Sequence, residues 1–214
     1  MQASSGALPL KVVKISSALG RGYAYNNGAD VAGGDVLLFL RADSLVPPGY
    51  DETLRRELSS PNICVTAFKF DQYFGSLTAD KPTPISPSAL FCLALYQNML
   101  SVICKLPRGS QGLAASADFC RSHRFPDDAI LLEDASFVLS VRTQLLRQGQ
   151  VQGLKVLEQS VLSSAEEAAT VGVLKHTFIN VLAFSLRCYL GVSDEAIYRW
   201  CYVRIPKCLQ RVNL

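Results

Sequence analysis

The sequence predicts an α/β fold with a helical C-terminal tail, because strand and helix signals alternate early in the chain and helix signals dominate late. Three segments carry that reading. Val36 to Leu40 is an unbroken apolar run, too short for a helix and the right length for a strand covered on both faces. Tyr50 to Leu58 is amphipathic, with Asp51 and Glu52 first and Arg55 and Arg56 later, the order that suits a helix dipole. Ser163 to Leu190 reads as mostly helical and is stopped by Gly191.

Each element follows from local chemistry. Leu10 to Ile15 is a short β-branched run that predicts a strand, and Gly20-Arg21-Gly22 predicts a turn. Tyr23 to Ala32 predicts a short helix closed by Gly33-Gly34. Pro47-Pro48-Gly49 turns the chain after the Val36 to Leu40 strand. Asn62 to Phe70 is strand-like, with Ile63, Val65, Ala67 and Lys69 on one face. Three prolines make Ala79 to Pro87 a loop, and Ser88 to Lys105 follows as a helix. Pro107 to Gly112 is a loop, Leu113 to Ser116 a short strand, and Phe125 to Asp128 a turn. Glu133-Asp134 opens a helix running to about Gln148, and Val151 to Leu157 is the last strand. Ser193 caps a further helix from Asp194 to Tyr202.

Composition narrows the function classes. Charged residues make up 18% of the 214 and hydrophobic ones 49%, which suits a globular domain and argues against general disorder. A net charge of +3 with no basic, aromatic-interleaved patch gives no support for nucleic acid. The seven cysteines are odd in number, contain no Cys-x-x-Cys pair and sit among apolar neighbours, the pattern of buried thiols in a reducing, cytoplasmic setting. Ala89 to Cys104 and Leu174 to Leu190 are apolar but broken by polar residues, and read as core or interfacial helices.

Three segments carry candidate chemistry. In the first, Gly20 and Gly28 permit close backbone approach, Arg21 neutralises a phosphate, and Asn26 bonds a base or ribose; the alternative is a plain surface turn. Asp43 ends the apolar strand, where ligands of open α/β sheets bind; it either holds a divalent cation that holds a diphosphate or caps the loop. Glu133-Asp134 either supplies a general base or complements the helix dipole. His123, in a polar turn, and His176, inside an apolar helix, are structural.

Taken together, these blocks resemble family 2 glycosyltransferases of the GT-A type. They look most like a small bacterial-type subgroup associated with radical-SAM and selenium-related genes. Gly20-Arg21 to Gly28 is similar to its Gly-Arg-Ala-Arg-Gln-x-Asn-x-Gly turn, and Gly34-Asp35 to Asp43 to its Gly-Asp-x-Leu-x-Phe-Leu-His-Ala-Asp strand. Gly109-Ser110-Gln111-Gly112 stands for Gly-Asp-Gln-Gly, and Leu132-Glu133-Asp134 for Met-Glu-Asp. Gly172 to Thr177 and Leu190 to Trp200 are similar to its C-terminal helix pair.

The resemblance implies a GT-A-like, Rossmann-like sheet over residues 1–160, with a helical segment at 161–214 packing on it. It also implies inverting transfer of a sugar from a nucleotide-sugar donor to an acceptor hydroxyl, with a divalent metal, Mg or Mn. Asp43 would bind the metal and diphosphate, and Arg21, Asn26 and Gly28 would lie by the nucleotide. Asp134 would be the base, with Glu133 beside it and Gln111 and Gly112 on the acceptor side. Arg41 replaces a His of the pattern, Tyr23 an Arg and Ser110 an Asp. Family members begin with a strand, a helix and a second strand that this chain is expected to lack. Val36 to Leu40 would then present an open edge, leaving the chain poorly stable, aggregation-prone or completed by another polypeptide, and activity would be impaired. Two other readings stay open: a non-catalytic relative, and a peripheral membrane module using Leu174 to Leu190 with Arg199, Arg204, Lys207 and Arg211.

Overall fold

The computed structural model describes residues 20–73, 86–127, 129, 131–150, 152–165 and 173–204. The expected strand Leu10 to Ile15 and most of the Ala79 to Pro87 loop lie outside them. Helix α1 (Arg21–Val31) leads to strand β1 (Val36–Phe39), the two-residue strand β2 (Ser44–Leu45) and helix α2 (Tyr50–Leu58). Strand β3 (Val65–Tyr73) and helix α3 (Pro87–Val102) follow. A 3₁₀ turn (Gly109–Gln111) then gives way to β4 (Leu113–Ser116), α4 (Ala117–Ser122) and α5 (Glu133–Arg147). Strand β5 (Leu154–Ser164) precedes α6 (Val173–Leu190), α7 (Asp194–Ile197) and a π-helical turn (Tyr198–Arg204).

The architecture is mixed α/β and GT-A-like. The sheet order is β1-β4-β3-β5-β2. Among the described strands only β3 and β5 run parallel; β1–β4, β4–β3 and β5–β2 are antiparallel. Alternation along the strands divides the core in two. Leu37, Val65, Ala67, Leu113, Ala115 and Leu154 face the larger cluster, built with α4, α5 and α6. Val36, Leu38, Leu40, Phe68, Ala114, Leu157 and Val161 face the smaller one, closed by Leu54 and Leu58 of α2. The apolar run at β1 is therefore covered on both faces, as its composition predicts.

Several boundaries move. Arg21 and Gly22 are the first turn of α1 rather than a separate turn. β5 runs to Ser164, so residue 160 falls inside the sheet, and the next described helix is Val173–Leu190. The turn after α7, Tyr198–Arg204, is π-helical rather than a continued α-helix. Within the described residues β1 pairs on one side only, with β4. A groove of about 430 Å³ lies between β1 and α1, walled by Ala24, Gly28 and Ala29 of α1 and by Ala32 just after it.

Candidate active site

The acidic pair at the start of α5 is built by strain and backbone contact. Leu132, just before the helix, is left-handed at φ 56°, ψ 31°. For a leucine this costs roughly 1–2 kcal/mol, and it aims the first helical residues back at the 3₁₀ turn. Asp134 accepts the Gly109 N–H at 2.6 Å on Oδ2 and the Ala135 N–H at 2.7 Å on Oδ1. Gln111 fixes the turn that donates to Asp134. Its amide oxygen accepts the Arg108 N–H at 2.9 Å, and its Nε2 donates to the Phe68 carbonyl at 2.9 Å. Gln111 is fully buried and Gly112 has φ 66°, so both shape the turn from below; Arg108, Gly109 and Ser110 line the cleft.

Glu133 is only 2% exposed yet carries a partner. Arg21 reaches it twice, Nε to Oε1 at 2.9 Å and a terminal nitrogen to Oε2 at 3.1 Å. Burial, then the neighbouring Asp134 charge, push the Glu133 carboxyl above its ordinary value, and Arg21 opposes the shift. Gly22 makes this approach possible, since a Cβ there would meet the Pro126 carbonyl oxygen at 2.3 Å. Tyr25, edge-on to Phe39 and tilted against Phe125, borders both the cleft and the β1 groove. Its hydroxyl is likewise raised, by burial first and then by Glu133.

The other residues of α1 go elsewhere. Asn26 is buried, and its amide is committed to the 125–127 turn: Nδ2 donates to the Phe125 carbonyl at 2.8 Å and to Asp127 at 2.7 Å, while Oδ1 accepts the Phe125 N–H at 3.0 Å. Gly28 lines the β1 groove, not the cleft. Of the three residues expected beside a nucleotide, only Arg21 faces the cleft.

Asp43 sits just past β1 with its main chain pinned. Its carbonyl accepts the Ser164 N–H at 3.2 Å and the Tyr73 hydroxyl at 3.3 Å. Its carboxylate is gripped by Arg41, Nε to Oδ1 at 3.1 Å and a terminal nitrogen to Oδ2 at 3.0 Å, with both side chains 35% exposed. A relay joins this station to the other: the Ser44 and Ser163 hydroxyls lie 2.7 Å apart, and the Ser163 hydroxyl donates to the Ser110 carbonyl at 3.3 Å.

The two stations open on one cleft of about 240 Å³. Arg21, Arg41, Arg108, Glu133 and Asp134 line it directly, and Asp43 reaches it through Arg41. Gln72 of β3 and Gln97 of α3 also line it, as do Asn180 of α6 and Tyr202, which share a hydrogen bond at 3.2 Å. The Arg108 guanidinium lies 5.8 Å from the Phe184 ring centroid, so the C-terminal helices form part of the wall. Of these residues, Arg108, Gln72, Gln97 and Tyr202 carry no motif, and sequence reasoning missed them.

A resident divalent cation does not fit this donor set. Both oxygens of Asp43 already carry the Arg41 fork. Among the described residues no group of three or more His, Cys, Asp or Glu side chains could hold a metal. A cation seated on Asp43 would face Arg41, at on the order of 4 kcal/mol per unit charge for a 4 Å separation and an effective dielectric of 20.

The model of glycosyl transferase family 2 matches residues 3–109, half of the chain. The protein belongs to this family. The matched span contains α1, β1, the Arg41–Asp43 fork and the turn up to Gly109, and Glu133 and Asp134 lie beyond it. A comparison with curated proteins finds no match. Among the described residues no helix of this glycosyltransferase family member is long and apolar enough to cross a membrane.

Proposed function

We propose that the protein transfers a sugar from a nucleotide-sugar donor to an acceptor hydroxyl with inversion, and that Asp134 is the base. The observation that carries this is the Asp134 carboxylate, only 9% exposed and clamped by the Gly109 N–H, on a cleft that three arginines also line. The acceptor O–H gives its proton to Asp134 as its oxygen bonds to the sugar C1, and the bond from C1 to the diphosphate oxygen breaks with its electron pair leaving on the diphosphate. Glu133, held by Arg21, fixes the start of α5 beside the base. At about 240 Å³ the cleft is smaller than the roughly 300–1,000 Å³ of whole-ligand pockets, so it suits the sugar and diphosphate with the nucleoside outside. The likeness of the motif blocks to the radical-SAM-associated subgroup extends this proposal. Release of nucleoside diphosphate from a panel of nucleotide sugars, lost in Asp134→Asn, tests it.

A second reading, a non-catalytic relative that binds a nucleotide sugar without turning it over, is favoured by Arg41 occupying Asp43. Donor binding with no turnover in any acceptor mixture would select it.

A further inference from the structure

We infer that the Arg41 guanidinium, oriented by Asp43, takes the place of a divalent cation at the leaving diphosphate, so that donor binding needs no metal. The inference rests on the sugar-transfer reading above. Three observations support it. The fork is bidentate, the geometry in which a planar guanidinium is fixed by a carboxylate. Arg41 lines the cleft itself, whereas Asp43 stands behind it. The backbone of Asp43 is tied to β3 and β5 through Tyr73 and Ser164, so the carboxylate is a rigid post rather than a mobile ligand. Asp43 is then a positioning residue for Arg41, and Arg21 and Arg108 border the same space. A fixed guanidinium stabilises charge that develops as the bond from C1 to the diphosphate oxygen breaks, without being recruited from solution.

Calorimetric titration of the full chain with uridine and guanosine diphosphates, in EDTA and in millimolar manganese, tests the inference. The expected result is the same affinity in both media. Arg41→Ala should weaken binding about tenfold or more in both, and Arg41→Lys, which keeps the charge but not the fork, should weaken it less. Asp43→Asn should weaken binding by a smaller factor and add nothing in the Arg41→Ala background, the pattern of a group acting through another. Affinity that needs manganese and loses that need in Asp43→Asn would overturn the inference and leave the sugar-transfer reading intact. Failure of both nucleotides to bind in both media would instead remove the reading on which it rests. Circular dichroism of each variant separates loss of binding from loss of fold.

Discussion

Asp134 and Asp43 serve one cleft but are held in different ways. Asp134 is nearly buried, both of its oxygens accept backbone N–H groups, and its neighbour Glu133 is locked by Arg21 behind a strained Leu132. Asp43 has a pinned main chain, but its carboxylate is one-third exposed and bound by side chains, the Arg41 fork and the Ser44 hydroxyl at 3.4 Å. The difference teaches what each end of a sugar transfer requires. A base must be placed against one oxygen of the acceptor, so its position is over-determined. In the proposed transfer the diphosphate end is met by the Arg41 guanidinium, one-third exposed and held by the Asp43 carboxylate.

Stability separates the two stations first. Arg21→Ala strips the partner from a carboxylate that is 2% exposed, and should cost about 1–3 kcal/mol in chemical denaturation, reduced from the fully buried case because Arg21 is 57% exposed. Arg41→Ala breaks a pair in which both side chains are 35% exposed, and should cost about 1 kcal/mol or less. Equal losses would erase the contrast. Gly109→Ala probes the placement of the base alone. Its Cβ would lie 3.2 Å from Asp134 Oδ2, and turnover should fall about tenfold with the fold intact.

Proton linkage sharpens the comparison further. The Glu133 carboxyl is raised in the folded state, so its contribution to stability is full below the ordinary glutamate value of 4.5 and is lost as pH rises through the elevated one. Glu133→Gln removes that loss. The variant should therefore gain in stability relative to the parent as pH climbs from 4.5 toward neutrality in denaturant titrations. A parent and variant that track each other over this range would show that Arg21 fully offsets the burial of Glu133.

The sequence makes the contrast legible only in part. An apolar run followed by Glu133-Asp134 marks a helix start, and the run ending at Asp43 marks a strand end; both elements stand where they are expected. Burial of polar groups is what residue type hides. Asn26 and Gln111 are the amides one would assign to a ligand, yet each spends its amide on backbone partners ninety-nine and forty-three positions away in the chain. The end of β5 is hidden for a different reason. Its register against β3 shifts between Ala67 and Lys69, where the partner moves from Val156 to Ser160, and alternation of apolar residues breaks at that irregularity. Arg41 stands out from the family pattern as a substitution, but its fork onto Asp43 becomes visible only in three dimensions.

The most direct measurement is release of nucleoside diphosphate from nucleotide sugars by the parent and by Asp134→Asn, with nucleoside diphosphate affinity measured in parallel. The parent should turn over at least one donor, and the variant should be slower by about 10²–10⁴-fold at unchanged affinity. Equal turnover by the two proteins, or none by the parent across the panel, would contradict the assignment of Asp134 as the base of a sugar transfer.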